Sequence, residues 1–440
     1  MWTYGGSFPG PTIRRPAGAE TRVTFRHELP AAAGELSVHL HGGHTPSADD
    51  GQPGPPPAGE SLYCQVAADP GGDTGAGLLI APGESRRYTY PLTEDGADPE
   101  RAAFQWYHDH RCSLTARNVW RGLAGMFIID DDVERALPLP RGGRDIPLMI
   151  ADRTFDRHNQ LTNPFGAGGH PPDDGVSGRR VLVNGAHRPH HAVDACRYRL
   201  RILNASHFRS YNLELSNGRP LTQIAGDSGL LPAPVERRRI LVGPAERVEV
   251  VADFGHDAGR SVVLRSVRTE RGKTLAGLAH QGPLMQFRVG ARPADPPPPV
   301  PGSLRPLPDW AVSAPTAPEH TWRITVSKGF FPKWLINGKP FDPTRVDASL
   351  TRGQAHAWRV ENATGVAHMF HIHSTDWLLL SRNGRRPPPW ERCLKETYRV
   401  DPGDELVLAG YPTDFTGRFV VHCHMLDHED HGLMAQFEVV

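Results

Sequence analysis

The sequence predicts an all-β chain of three related β-sandwiches, on two observations: its wealth of turn formers and one order of strand-like phrases that recurs three times. Among 440 residues there are 46 Gly and 43 Pro. That much Pro favours a loop-rich β chain with many turns over a helical one. The first recurring phrase is "RVTFRHEL" (22–29), "RYRLRILNAS" (197–206) and "AHAWRVENAT" (355–364), alternating strands that each lead to a polar turn. The second is "APGESRRYTYPL" (81–92), "VGPAERVEVVADF" (242–254) and "DPGDELVLAGYP" (401–412), a Pro-containing turn and an acid before a strand. The third is "RGLAGMFII" (121–129), "GPLMQFRV" (282–289) and "HGLMAQFEV" (431–439), closing strands with Gly, Met and Phe. "LVNGAHRP" (182–189) and "LINGKPF" (335–341) open the second and third copies. Single phrases match by chance; one order repeated three times means three copies of one sandwich, each roughly 110 to 130 residues.

The copies are expected at 1–132, 148–290 and 321–440. A joining segment, "VERALPLPRGGRDIP" (133–147), links the first two, and a Pro-rich, extended linker occupies 291–320, able to carry the chain across the molecule. Lys plus Arg and Asp plus Glu both number 49, so no net charge steers the chain to nucleic acid or an acidic membrane. No run approaches the ~18 consecutive apolar residues of a spanning helix. Met1 is followed by "WTYGGSFPG", which reads as a strand and a turn rather than a leader. The expected location is therefore cytoplasmic, unless a leader lies outside this sequence. The five cysteines, Cys64, Cys112, Cys196, Cys393 and Cys423, are too few and scattered for a disulfide framework.

The histidines fall into four clusters on this frame. The first copy holds "VHLHGGH" (38–44) and "WYHDHR" (106–111); the third holds "HMFHIHS" (368–374) and "HCHMLDH" (422–428). The matching strand of the second copy reads "YNLEL" (211–215), with Asn212 and Glu214 in place of His. Copies one and three therefore supply metal ligands and copy two does not. On a strand, His-X-His puts both imidazoles on one face. The four pairs are His39 and His41, His108 and His110, His371 and His373, His422 and His424. One copper or zinc needs only three or four ligands, so eight imidazoles suit a cluster of about three metals shared between the first and third sandwiches. The same alternation sends Cys423 to the opposite face, where His368 and His428 are the histidines left over. A His₂Cys set with a weak or absent fourth ligand describes an electron-transfer copper site. One segment thus wires a mononuclear copper to a cluster.

With these four motifs, HxHG, HxH, HxxHxH and HCHxxxH, the chain resembles the three-domain multicopper oxidases, the laccase family, over essentially its whole length. "VHLHGGHTPSADDG", "YHDHRCSLTARNVWRGLAG" and "LVNG…NAS…YNLELSNG" look most similar to the bacterial spore-coat-laccase branch, which includes phenoxazinone-synthase-like enzymes. The resemblance implies cupredoxin-like Greek-key domains and about four coppers per chain. It implies His39 and His371 on the type 2 copper, and His41, His108 and His424 on one type 3 copper. The other type 3 copper would take His110, His373 and His422, and the type 1 copper Cys423, His368 and His428. The family's carboxylates that assist protonation of reduced oxygen match Asp50 and Glu429. Three features depart from the pattern. The usual axial Met is Leu433; Met434 follows it and should face away, unless a bulge in the closing strand makes Met434 the ligand. Met369 stands where the family usually has Pro. His44, His170, His187, His190, His191, His207 and His431 match no motif and read as loop or surface residues.

The expected function is one-electron oxidation of phenols or aminophenols coupled to four-electron reduction of dioxygen to water. The alternatives are a manganese, iron or cuprous oxidase, or a copper-binding coat protein with incidental oxidase activity. Seven unclustered Met count against the cuprous version, and retention of all eleven ligand positions counts against storage. Substrate specificity is expected to rest on loops of copies two and three, including the Arg-rich "SRNGRRPPPWERC" (381–393). Oligomeric state has no signal in the sequence.

Overall fold

In all three copies the recurring phrases form strands, and they pair in the same way. The computed structural model describes residues 1–58, 72–94, 98–166, 171–172, 175–268, 280–293, 298–327 and 333–440. The first and second phrases form the antiparallel pairs Thr21–Arg26 with Ser85–Tyr90, Arg197–Asn204 with Arg247–Asp253, and His356–Asn362 with Glu405–Gly410. The motif strands Val38–His41, Tyr211–Leu215 and His368–Ile372 each lie against a strand that leads antiparallel into the closing strand. Each closing strand then takes a parallel partner from early in its own copy: Gly10–Pro16, His190–Ala195 or Ala348–Leu350. Such long-range returns make each copy a Greek-key sandwich rather than a meander.

Each sandwich closes on its own apolar core. Val38, Leu40, Tyr107 and Phe127 lie in the first, Leu200, Leu213, Val250 and Phe287 in the second, and Trp358, Phe370, Leu408 and Phe437 in the third. A separate cluster joins the first sandwich to the second through Phe104, Trp106 and Met126 against Met149, Leu203 and Ala245. No helix among the described residues is long and apolar enough to cross a membrane.

The joining segments are more structured than their composition suggests. Residues 133–147 include most of the short helix Asp132–Ala136 and the start of strand Asp145–Arg153. The cause is charge: Arg199 and Arg201, both buried, hold Glu134 and Asp145 against the middle sandwich. In the Pro-rich segment the strand Gly282–Pro293 runs past residue 290, and Leu304 packs with Ile224 and Leu231. Its part around Leu304 is tied to the middle sandwich by apolar contact, and Ala311 further along packs with Leu378 and Leu394 of the third.

Candidate metal centre

Strand register builds the first half of the centre. His39 lies opposite His108 on the pair Val38–His41 and Ala103–Asp109, and His371 lies opposite His422 on His368–Ile372 and Gly417–Cys423. Alternation aims one face of each pair at the other sandwich. All eight cluster histidines are at most 1% exposed. They gather as the triads His41, His108, His424 and His110, His373, His422, with His39 and His371 grouped beside His41. The resemblance implies these same groupings.

Hydrogen bonds fix which ring nitrogen faces inward. Nδ1–H donates to a carbonyl oxygen from His39 (Asp50, 2.7 Å), His108 (Asp109, 2.9 Å) and His371 (Glu396, 3.1 Å). His373 Nδ1 donates to the Asp50 carboxylate at 2.7 Å, and His422 Nδ1 meets the Cys423 carbonyl and the Glu429 carboxylate at 3.2 and 3.0 Å. With Nδ1 protonated, each Nε2 carries a lone pair. Yet His373 and His422 bring Nε2 to Nε2 at 3.1 Å, and His39 and His371 at 3.4 Å. Lone pairs facing each other in a dry site repel, and a cation between them removes the repulsion. His41 is turned the other way: Nε2 meets Glu396 and Thr397 at 3.0 and 3.1 Å, and its buried Nδ1 has no protein partner. Burial lowers the proton affinity of His41, His110, His371, His373 and His424, and that of His108 to about 3, which keeps these rings neutral and able to donate a lone pair. The donor set fits copper ions.

The second centre lies on the other face of the same strand. Cys423 Sγ is 3.5 Å from His368 Nδ1 and 3.7 Å from His428 Nδ1, which are 3.2 Å apart. His368 Nε2–H donates to Thr364 Oγ1 at 2.9 Å, so its Nδ1 carries the lone pair. Burial pushes the Cys423 thiol up to about 12, so a bound cation would be needed to make it a thiolate. Met369 N–H points at Cys423 Sγ at 3.5 Å. Leu433 shares the apolar cluster of Cys423, Phe370 and Met425, whereas Met434 packs with Cys112, Phe341 and Val420. Trp334 lies over both imidazoles, 4.5 Å from the His428 ring and 5.0 Å from His368, and Phe208 meets His428 at 5.4 Å.

Two carboxylates flank the cluster. Asp50 is buried, which raises its pKa, and it accepts from Thr45 as well as His373. Gly51 lets it come so close: a Cβ there would sit 2.6 Å from the His39 backbone, and its φ of +77° is one few side chains accept. Glu429 stands between His422 (3.0 Å) and His110 (3.7 Å). Burial raises its proton affinity, but His422 and His110 outweigh that and hold it down at about 2.

A third carboxylate, Glu396, is buried against His41 and was not singled out by any motif. Its sequence signal is weak: a Lys-Glu pair inside the otherwise uncharged run "CLKETY" (393–398). Three of the unassigned histidines lie in loops, as read, but are buried rather than at the surface. His44 is buried between Asp414 and Asp376, His207 between aromatic rings and Asp427, and His431 against the Pro171 carbonyl. Each has a partner from another part of the chain, which period and motif cannot reveal. His187, His190 and His191 are exposed, and His170 lies outside the described residues. Cys196, Cys393 and Cys423 are buried free thiols; Cys64 is also outside the described residues. Within 381–393, Arg382, Trp390 and Glu391 border a cavity of about 590 Å³ with Arg237 and Arg399, whose lining includes neither Trp334 nor His428.

Fold and donor set together define a copper-dependent oxidase of cupredoxin-like sandwiches. Multicopper oxidase family models match residues 1–69 and 314–440. A laccase of Bacillus stratosphericus is 30% identical over 100% of this chain and 91% of its own length. A bilirubin oxidase of Albifimbria verrucaria is 31% identical over 99% of this chain and 72% of its own. The crystal structure of a laccase from Pediococcus acidilactici superposes with a TM-score of 0.81 at 31% identity, covering 100% of this chain and 85% of that one. The chain belongs to the laccase family of multicopper oxidases, copper-binding oxidoreductases that typically use four copper ions.

Proposed function

We propose that this oxidase takes electrons singly from phenols or aminophenols at the Cys423 site and delivers them to the histidine cluster, where dioxygen is reduced to water. The observation that carries the reading is the segment His422–Cys423–His424, whose alternate side chains enter two different ligand sets. Copper, when bound, supplies the one-electron redox change at both places. Cys423, His368 and His428 would hold the electron-accepting type 1 ion. His39 and His371 would hold type 2, and the two triads the type 3 pair.

The chain's own share is orientation, dryness and proton supply. The carbonyls of Asp50, Asp109, Glu396 and Cys423 orient four rings without adding charge. Asp50 Oδ2, whose proton affinity burial raises, offers a proton-holding oxygen at the His373 ring, and Glu429 Oε2 offers an ionised oxygen at the His422 ring. The half-buried Trp334 covers the type 1 histidines, and an aromatic surface there suits a flat phenolic ring that stacks before giving up an electron.

Oxygen uptake by copper-loaded protein, with phenols, aminophenols and ferrous and manganous salts offered separately, tests the reading. Fast uptake with the aromatic substrates and water as product is expected. Uptake with the metal salts alone would replace it with metal oxidation, and one copper or stoichiometric zinc per chain would remove the oxidase assignment of the sites.

A further inference from the structure

The middle sandwich supplies no ligand, yet it reaches the cluster through a buried charge. Arg247, at the start of strand Arg247–Asp253, is 2% exposed. Its Nη1 pairs with Glu396 Oε1, its Nε–H donates to the Phe104 carbonyl at 2.9 Å, and its Nη2–H donates to the Asp227 carbonyl at 3.1 Å. One guanidinium therefore touches all three sandwiches. It also explains Gly42, the residue after His41: a Cβ there would lie 2.6 Å from Arg247 Nη2.

Glu396 passes this anchoring to a ligand. Its Oε1 accepts from His41 Nε2–H at 3.0 Å, while Oε2 accepts from Ser228 of the middle sandwich at 2.9 Å. With Nε2 occupied, His41 has only Nδ1 to offer, and that atom is buried without a protein partner in the triad with His108 and His424. A carboxylate accepting the far N–H of a ligating imidazole fixes its tautomer and raises its donor strength. A buried ion pair gives little net stability against an apolar alternative, so stability alone is a poor reason for Arg247 and Glu396 to be here.

We propose that Glu396, clamped by Arg247, is a positioning residue that sets His41 to bind copper through Nδ1, making the middle sandwich part of the cluster. The inference rests on His41 being a ligand, as proposed above. Three proteins decide it: wild type, Glu396→Gln and Glu396→Ala, each followed by chelator titration, copper counting, electron paramagnetic resonance and the blue thiolate absorption. Glu396→Ala is expected to release cluster copper at about 10- to 100-fold lower chelator concentration. The type 3 pair should lose its magnetic silence while the blue band stays. Glu396→Gln keeps an oxygen acceptor for Nε2–H and should fall between the two, a graded rescue that mere damage to the fold would not produce. Wild-type copper retention and a silent pair in Glu396→Ala would overturn the proposal. Should that variant not fold, Glu396→Gln decides alone, and wild-type retention in it would overturn the charged clamp. Wild-type protein that binds fewer than three cluster metals would instead sink the ligand assignment itself.

Discussion

The first and third sandwiches carry the cluster histidines on a strand that the middle sandwich also has, in each copy beside the strand that leads into the closing strand. The difference is two side chains and a burial. His39 and His41, like His371 and His373, lie in a seam at most 1% exposed. On strand Tyr211–Leu215 those positions hold Asn212, bonded to the Arg268 carbonyl, and Glu214, ion-paired with Arg239 and Arg265 near the surface. The fold supplies alternation in all three copies; only a seam between two of them supplies the dry space in which facing lone pairs call for a cation. Topology is common property here, and the site belongs to an interface.

The strongest way to break that contrast is to remove one ligand from one side of the seam. His41→Ala should abolish oxygen reduction while leaving the blue thiolate absorption in place, because Cys423, His368 and His428 all belong to the third sandwich. Absorption spectroscopy beside an oxygen electrode reads both at once. Loss of the blue band with oxygen reduction intact would mean the two sites are assigned the wrong way round.

The middle sandwich should fail differently, through stability. Arg201 donates to Glu249 at 2.8 Å, Asp145 at 2.8 Å and Glu134 at 3.2 Å with no exposure of its side chain. Arg201→Met leaves three buried carboxylates short of a partner, at a cost of about 3–5 kcal/mol. The melting temperature should fall while copper content and the blue band stay as in wild type. A variant that melts normally, or one that loses copper before it melts, would erase the division of labour between the sandwiches.

How much of this was legible beforehand follows from range. The ten histidines and one cysteine of the two groups could be found because His-X-His on a strand is a local statement, and "HCH" adds a change of face within three residues. Glu396 and Arg247 could not: they meet across 149 positions, and neither carries a spacing signal. The same holds for His44, whose carboxylate partners Asp376 and Asp414 come from the third sandwich. Segment 133–147 looked like a linker because its Pro and Gly are visible in sequence, while the arginines that bind it down lie more than 50 residues away. Local periodicity is readable; long-range neutralisation of buried charge is not.

Smaller effects are expected where this chain departs from the pattern that the resemblance implies around Cys423. Met369 has an N–H, aimed at Sγ from 3.5 Å; a Pro in that position would have none. A donor to the thiolate withdraws charge from sulfur, weakens its donation to cupric ion and raises the reduction potential. Met369→Pro should therefore lower the type 1 potential and keep the blue band. An unchanged potential would mean this N–H···S contact has no electronic role.

Leu433 offers the mildest change. Its carbonyl accepts from Cys423 N–H at 3.0 Å and its own N–H donates to the His428 carbonyl at 3.0 Å, so its backbone links two of the three residues of the Cys423 group. Its side chain belongs to the cluster around Cys423, while Met434, opposite His422 in the strand pair, packs away with Phe341 and Val420. An aliphatic group cannot donate to copper, whereas a thioether there donates weakly and favours the cupric state. Leu433→Met should thus lower the type 1 potential, leave the blue band and slow the oxidation of substrates that are hard to oxidise. Met434→Leu should change the potential little, because reaching copper would require a bulge and the described strand pairs His422 to Met434 without one. Redox titration of the two single variants separates the cases: a potential that responds to Met434→Leu and ignores Leu433→Met would move the axial position one residue along the chain.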